Sequence, residues 1–311
     1  MRQNRRKFIK KSFLASFGVL ILPKFLLAKS NKQKIFIGQK PTPEKWSNNQ
    51  INIAWIGHST VLINFYGTII LTDPVMLNQI GLKVIGLTFG PKRIIPPALT
   101  IEELPRPDIV LLSHAHFDHT DYPTLKSITE KFPNKIEVVT AEQTKDVIYD
   151  LKWKSVSVID WKETIEVSDI NITAIETKHF GWRFPWEKDR SRGYKNGRSY
   201  NAYLLEKNNK SILFGGDTAM TDKYGIIKDK NIDIAIMPIG AYNPWKDVHC
   251  NPEEALIMAE NIGAKYFIPI HCKTFRLGAE PYDEPIDWLK NSVKKYNIAL
   301  GLDTIGETFV L

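Results

Sequence analysis

The chain has 311 residues, of which 43% are hydrophobic, 24% charged and 11% aromatic, a composition typical of a globular protein with a substantial core. Two cysteines are too few to hold this chain together by disulfides, which excludes a disulfide-rich scaffold. The net charge of +8 comes from residues 1–30, which hold eight basic residues and no acidic one. Residues 31–311 are neutral overall, which excludes a general nucleic-acid-binding surface.

The first thirty residues predict an export signal. A basic start is followed by the apolar run Phe13–Ala28, which a proline and a lysine interrupt and which is too short to span a bilayer. The stretch Asn4–Lys10 holds paired arginines followed by Phe8, and is similar to a twin-arginine signal, whose pathway carries folded proteins. We therefore expect a signal peptide at residues 1–30 and an exported protein, periplasmic or membrane-associated. An uncleaved amphipathic anchor is the alternative.

Residues 31–311 contain no internal repeat or low-complexity tract, which predicts one domain. Short β-type runs dominate this part, with helical patterns between them. In chain order the predicted strands are Ile51–Ile56, Val61–Phe65, Thr68–Thr72, Ile109–Ser113, Ile136–Thr140, Ile170–Glu176, Ala202–Glu206, Ser211–Gly215, Ile234–Pro238 and Tyr266–Ile270. The predicted helices are Tyr122–Lys131, Ala141–Leu151, Pro252–Ile262 and Ile286–Tyr296.

The order of these elements indicates the fold class. Several strands follow one another without an intervening helix, which favours two sheets covered outside by helices over a purely parallel sheet. We therefore predict an α+β protein with a four-layer αββα sandwich. The helix at Pro252 has a well-marked start, with Asn251 as N-cap and Glu253 and Glu254 in its first turn.

Three of the seven histidines lie in the motif His-Ala-His-Phe-Asp-His at residues 114–119, directly after an apolar strand. His114 and His116 are two residues apart, so they point the same way in an extended segment. Asp118 and His119 follow where the chain must turn. Imidazole and carboxylate groups form the ligand set that zinc favours. The motif predicts a metal centre rather than a solvated polar loop.

One motif is too small to hold two metal ions, so further ligands are required. His179, Asp217 and His271 each follow a predicted apolar strand. Residues at the ends of strands can converge on one rim of the sheets. We therefore take these three residues as the remaining candidate ligands.

With these residues the chain resembles the metallo-β-lactamase-fold hydrolases. Over roughly residues 41–290 it is similar to the branch that contains N-acyl-phosphatidylethanolamine-hydrolysing phospholipase D. The blocks that carry this resemblance are Trp55–Thr60, Thr72–Pro74, Gly90–Arg93, Gly216–Thr218, Pro238–Tyr242, Asn251–Ala255 and His271–Phe275. The chain departs from the branch at Cys272 and Lys273, where the branch tends to carry Trp and Gly, and around Arg198–Asn201.

The resemblance implies a site with two zinc ions. It assigns His114, His116 and His179 to the first ion, Asp118, His119 and His271 to the second, and Asp217 to both as a bridge.

The resemblance also implies roles for residues around the metals. Asp73 would orient a ligand or the attacking water, and His249 would line the substrate side. Asp118, Asp73 and His249 are therefore the candidate catalytic residues. His58 lies near the site in this family, but a buried histidine bonded to backbone is at least as good an explanation for it. Cys250 and Cys272 each follow a site histidine and are expected to pack rather than bind metal.

The function that the resemblance implies is a dizinc phosphodiesterase of phospholipase D type. Its substrate would be N-acyl-phosphatidylethanolamine, a related phospholipid or a small phosphodiester, with a membrane surface as a candidate partner. Apolar residues in Trp182–Trp186 and Ile80–Phe89 favour a lipid, unless they cover a core. A lactonase or another small-molecule hydrolase on the same fold is the alternative. A binding protein without activity is disfavoured because all seven ligand positions are filled.

Overall fold

The computed structural model describes residues 38–311; the predicted signal at residues 1–30 and its boundary with the domain lie outside them. The strands are β1 (Ile51–Gly57), β2 (Thr60–Phe65), β3 (Thr68–Thr72), β4 (Leu82–Val84), β5 (Leu87–Phe89), β6 (Ile109–Leu112), β7 (Glu137–Ala141), β8 (Ser155–Ile159), β9 (Thr164–Val167), β10 (Ile170–Glu176), β11 (Asn201–Lys207), β12 (Lys210–Phe214), β13 (Ile234–Pro238), β14 (Tyr266–Ile270), β15 (Ala299–Leu300) and β16 (Thr308–Val310).

These strands form two seven-stranded sheets and one separate hairpin. The first sheet has the order β16-β1-β2-β3-β6-β7-β8, the second has the order β15-β14-β13-β12-β11-β10-β9, and β4 pairs only with β5. Each sheet is antiparallel on one side and parallel on the other: β3, β6, β7 and β8 run parallel, as do β12, β13, β14 and β15. The carboxyl ends of the parallel strands in each half therefore share one edge.

The sheets pack face to face. In β1, Ile53 and Trp55 belong to one core cluster that also contains Ile172 and Tyr203 of the second sheet. Their neighbour Ala54 belongs to a second cluster, which lies on the outer face of the first sheet. Successive residues of a strand point to opposite faces. The alternation thus assigns one face of β1 to the interior between the sheets.

Within residues 38–311, three α-helices cover the outer faces: α1 (Tyr122–Lys131), α2 (Pro252–Asn261) and α3 (Glu284–Ser292). Leu125 and Ile128 of α1 pack on the first sheet, and Leu256 of α2 and Leu289 of α3 join the core of the second. The four-layer α+β sandwich is confirmed. Shorter 3-10 helices lie at Pro43–Lys45, Lys145–Val147, Arg190–Arg192, Lys223–Lys230 and Val293–Lys295.

The predicted start of α2 is also confirmed. The Asn251 side chain accepts a hydrogen bond from the Glu254 amide (2.9 Å), and the Glu254 carboxylate accepts one from the Asn251 amide (3.0 Å). This reciprocal pair is a capping box, which satisfies amide groups that the helix leaves without partners.

The predicted helix Ala141–Leu151 is wrong. Ala141 is the last residue of β7 and pairs with Ile159 of β8, and only Lys145–Val147 forms a short 3-10 helix. Gln143 has a left-handed backbone (φ 60°), which ends regular structure there. Its carbonyl oxygen accepts a hydrogen bond from Arg198, a residue far away in sequence.

Six strands were not predicted: β4, β5, β8, β9, β15 and β16. Five of them have only two to four residues, and β8, which has five, lies at the edge of its sheet. Between residues 38 and 311, no helix is both long and apolar enough to cross a bilayer.

Candidate metal centre

All seven predicted ligands lie together at the edge where the parallel strands of both sheets end. From the first sheet, β6 leads into His114–His119, and Asp73 follows β3. From the second sheet, β10, β12 and β14 lead into His179, Asp217 and His271. The Tyr203 hydroxyl donates to the Leu112 carbonyl (2.9 Å) and the Asn201 amide to the Ser113 carbonyl (2.9 Å), which joins the two sheets beside the site.

His114, His116 and His179 form the first group of potential ligands. Nδ1 of His116 lies 2.8 Å from Nε2 of His114 and 3.3 Å from Nε2 of His179. Nδ1 of His114 contacts the Ser113 hydroxyl (2.8 Å) and Nδ1 of His179 contacts the Val248 carbonyl (2.8 Å). These outward contacts leave Nε2 of both rings facing His116, an arrangement that orients metal-binding histidines.

Asp118, His119 and His271 form the second group, and His58 lies within it. The Asp118 Oδ2 atom is 3.4 Å from Nε2 of His271 and 3.6 Å from Nε2 of His119. His119 is held from behind, because its Nδ1 lies 2.7 Å from Asp73 Oδ2. A carboxylate only accepts hydrogen bonds, so His119 donates from Nδ1 and turns its Nε2 toward the site.

Asp217 lies between the two groups. Its Oδ2 atom is 3.0 Å from Nε2 of His119, 3.1 Å from Nε2 of His271 and 3.8 Å from Nε2 of His179. The carboxylate therefore contacts ligands of both groups, which is the position expected of a bridge. Gly216 brings it there with a left-handed backbone (φ 56°), and an added Cβ would come within 2.8 Å of the Asn201 carbonyl oxygen.

Several atoms of this cluster make no hydrogen bond although they are buried. Of fourteen such side-chain atoms in residues 38–311, six belong to the site: Nε2 of His116, Nε2 of His119, Oδ1 of Asp217, Nδ1 of His249, and both ring nitrogens of His271. Unpaired buried polar atoms are costly and rare in folded proteins. Their concentration here, among imidazole and carboxylate groups, fits a site for metal ions.

Electrostatics support the same interpretation. Burial lowers the pKa of His116 to about 4 and keeps the pKa of His114 and His179 well below the usual value, with help from neighbouring histidines. Burial also disfavours charge on His119, but the surrounding carboxylates, Asp217 foremost, outweigh it and raise its pKa well above normal. The first group thus offers neutral imidazoles, and the carboxylates of the second favour positive charge, which bound cations would supply.

The predicted catalytic residues take different positions. Asp73 is fully buried and accepts hydrogen bonds from the Ser113 amide (2.7 Å), the Ser113 hydroxyl (2.6 Å) and His119. It therefore orients a ligand and has no exposed surface toward incoming molecules. His249 lies on the open side, with its ring 5.0 Å from that of His179 and 5.1 Å from that of His271.

The His58 side chain contacts other residues of the site. Its Nε2 lies 3.2 Å from Asp118 Oδ2, and its ring packs 4.3 Å from the ring of His271. Its carbonyl oxygen accepts a hydrogen bond from the His271 amide (3.1 Å). His58 thus contacts two residues of the second group. Cys250 and Cys272 are buried and free.

Two residues near the site were missed from the sequence. Ser113 connects Asp73 with His114, and the signal for it was its place immediately before the histidine motif. Arg183 donates to the carbonyl oxygens of Ala115 (2.6 Å) and Thr120 (3.0 Å), and its guanidinium lies 3.8 Å from the centre of the Phe117 ring. Arg183 thus stabilises the loop of residues 114–119, and no local pattern in the sequence indicates these contacts.

With the geometry established, comparison with known proteins identifies the family. Residues 68–272 match the beta-lactamase superfamily domain. The chain belongs to this superfamily. Together with its sequence relatives, this places it among the metal-dependent hydrolases of the superfamily.

Three relatives share at most about a third of their residues with this chain over the aligned region. The chain is 31% identical over 266 residues to the N-acyl-phosphatidylethanolamine-hydrolyzing phospholipase D 1 of Caenorhabditis elegans, covering 78% of this chain and 70% of that protein. It is 27% identical over 267 residues to an uncharacterized protein of Mycobacterium tuberculosis, covering 83% and 68%. The solved structure of a possible metal-dependent hydrolase from Veillonella parvula has a TM-score of 0.65, with 18% identity and coverage of 84% and 100%, and shows the same fold.

Proposed function

We propose that this protein is a dizinc phosphodiesterase of phospholipase D type that acts on N-acyl-phosphatidylethanolamine or a related phospholipid. The observation that carries the proposal is Asp217, whose carboxylate lies between two groups of potential ligands. Such a shared carboxylate is suited to hold two ions close together. The activity named for the Caenorhabditis elegans relative supports the substrate class.

In this proposal, some residues bind the metal ions and others orient those ligands. His114, His116 and His179 would hold one zinc ion, Asp118, His119 and His271 the other, and Asp217 both. Bound zinc ions supply Lewis acidity, which makes water a stronger nucleophile near neutral pH and neutralises charge on a phosphoryl group. Asp73, Ser113 and Val248 fix the rings of the ligands through the contacts described above.

The open side of the cluster determines where a substrate approaches. Of the seven ligands, only His116 and Asp118 are partly exposed, and His249 lies beside them. His249 Nδ1 makes no hydrogen bond and lies 3.8 Å from Asp217 Oδ2. We infer that His249 positions a phosphoryl oxygen of the substrate and assists protonation of the departing alcohol oxygen.

Aromatic side chains border this open side. The Phe180 ring lies 4.4 Å from the ring of His116 and 4.9 Å from that of Trp182. Beyond them, Phe184 stacks on Trp186, with ring centres 5.0 Å apart, and Trp186 is exposed. An aromatic wall beside a polar reaction centre suits a substrate with both apolar chains and a charged headgroup.

We also propose that the protein is exported and works in the periplasm or at a membrane, where phospholipids are accessible. The support for this is the basic and apolar pattern of residues 1–30 and the arginine pair within it.

Hydrolysis assays with a set of phosphodiesters and lactones test the proposal. We expect headgroup release from N-acyl-phosphatidylethanolamine, its loss on chelation and its return with zinc, together with two bound zinc ions per chain by elemental analysis. Hydrolysis of lactones with no action on any phosphodiester would support the alternative hydrolase instead. A folded, active protein free of metal would refute both.

Asp217→Asn gives a sharper test, with Asp233→Asn as its matched control. Both carboxylates are buried beside the second sheet, but Asp233 bonds Lys210 and Lys265 rather than site residues. We expect Asp217→Asn to lose nearly all activity and to bind less than two zinc ions per chain. Asp233→Asn should keep both properties even if its stability falls. Equal activity of the two variants would mean that Asp217 is not the bridge.

A further inference from the structure

The β4–β5 hairpin carries an apolar face that nothing in the described chain covers. Its register pairs Leu82 with Phe89 and Val84 with Leu87, two residues apart on each strand, so these four side chains share one face. All four are exposed, from 42% for Leu82 to 64% for Leu87. At the turn, Ile85 is 97% exposed. Five large apolar side chains therefore project into solvent from one small hairpin.

This arrangement differs from scattered surface hydrophobics. The hairpin pairs with neither of the two large sheets, and an isolated two-stranded hairpin is only marginally stable in water. Contiguous apolar surface on a soluble domain marks an interaction site. A partner that covers the apolar face would also stabilise the hairpin itself.

Charge around the hairpin indicates the chemistry of that partner. From Pro74 to Ile101 the chain has no acidic residue, and its charged side chains there are Lys83, Lys92 and Arg93. Lys83 pairs with Thr88 on the face opposite the apolar one, and both Lys83 and Lys92 are exposed. Apolar side chains flanked by lysines, without acids, complement an anionic phospholipid surface, which attracts basic residues while its interior accepts apolar ones.

The base of the hairpin is connected to the metal centre. Ile80 packs with Val75 and Phe275 in a small core cluster. The Phe275 ring contacts the ring of His58 edge-on, with centres 5.3 Å apart, and His58 contacts Asp118. A membrane bound by the hairpin would therefore lie near the rim of the site.

We propose that the β4–β5 hairpin inserts its apolar face and the Ile85 turn into the surface of an anionic phospholipid bilayer. The inference goes beyond the proposed function, because it requires neither phospholipase D chemistry nor a particular headgroup. It concerns docking of the protein and not turnover.

A fluorescent label at the turn tests the proposal in the full chain. Ile85→Cys provides a single accessible thiol, because Cys250 and Cys272 are buried, and an environment-sensitive dye is attached to it. The matched control is Ile226→Cys, which replaces another exposed isoleucine outside the hairpin. We expect vesicles of phosphatidylcholine and phosphatidylglycerol to shift the emission at position 85 to the blue and to leave position 226 unchanged. Pure phosphatidylcholine or high salt should weaken the shift.

The label reports on residue 85 itself, so binding through another part of the chain would leave its emission unchanged and overturn the proposal. A blue shift that grows with protein concentration without vesicles, together with a doubled mass, would also overturn it in favour of a second copy of the chain. The emission at position 85 reports docking whether or not the vesicle lipids are hydrolysed, so this result is independent of the proposed activity.

A charge substitution provides the second measurement. Ile85→Glu should weaken binding to anionic vesicles by about tenfold or more, because one fully inserted isoleucine is exchanged for a charge. Its unfolding temperature and its turnover of a water-soluble phosphodiester should match those of the parent chain, since residue 85 is exposed and outside the site. Unchanged vesicle binding would contradict the insertion.

Discussion

Asp73→Asn tests the role of the carboxylate that holds the ring of His119 on the side away from the other ligands. The substitution keeps the shape of the side chain and one oxygen for the Ser113 amide, which donates at 2.7 Å. The second oxygen becomes an amide nitrogen, which cannot accept the hydrogen bond from Nδ1 of His119. His119 must then change its protonation or turn away, and its Nε2 is no longer held facing Asp217.

The expected size of the effect follows from these contacts. A hydrogen bond to a charged group contributes about 1.5–3 kcal/mol, and loss of a partner behind a metal-binding histidine lowers metal affinity about 10- to 100-fold. A 10- to 100-fold change corresponds to about 1.4–2.8 kcal/mol, so the two magnitudes agree. We therefore expect one zinc ion per chain to bind about 10- to 100-fold more weakly, measured by competition with a chelator.

Asp121→Asn is the matched control for this experiment. Asp121 is also buried, but it bonds the amide and hydroxyl of Thr124 as the N-cap of α1. Asparagine is an equally good N-cap, so zinc affinity should not change. If Asp73→Asn binds both ions as tightly as Asp121→Asn does, then Asp73 does not orient a ligand.

Three further predictions concern other parts of the chain. His58→Gln should lower the affinity for one zinc ion about tenfold, because it removes the ring that contacts Asp118 and His271. Unchanged zinc affinity would contradict this prediction. Arg198→Met should lower the unfolding free energy by about 3 kcal/mol in denaturant titrations, because Arg198 is buried and bonds both Asp146 and Glu187. Its control is Arg106→Met, which removes the exposed Arg106–Asp108 pair and should lower the unfolding free energy by less than about 1 kcal/mol. Replacing Arg5 and Arg6 by lysines should block export, since lysine lacks the planar guanidinium, and wild-type export of this variant would refute the twin-arginine assignment.

Most core strands could be predicted because they bury both faces and appear as continuous apolar runs. The failure at Ala141–Leu151 has a tertiary cause. Its apolar spacing is compatible with a helix, but Arg198 bonds the Gln143 carbonyl and the Asp146 carboxylate and so fixes a different backbone. The hairpin at Leu82–Phe89 could not be predicted, because each of its strands has only three residues and their apolar side chains do not contribute to a core.

The candidate ligands could be predicted because each lies at the end of a strand, where chain topology brings them to one edge. The sequence pattern alone could not predict the contacts behind them, although the resemblance implied that Asp73 orients a ligand or the attacking water and that His58 lies near the site. Those from Asp73 to His119, from Val248 to His179 and from His58 to Asp118 join residues 46, 69 and 60 positions apart. Two of these residues, His58 and Asp73, have a left-handed backbone, which the sequence pattern does not show.

The division of the ligands between the two sheets has a thermodynamic consequence. His114 and His119 follow a strand of the first sheet, whereas Asp217 and His271 follow strands of the second. Ions shared by these residues would act as cross-links between the two halves of the sandwich. Binding restricted to the folded state adds about 4 kcal/mol when the free ligand exceeds its Kd a thousandfold. The resistance of this fold to unfolding would then depend on the free metal concentration of its compartment as well as on its own packing.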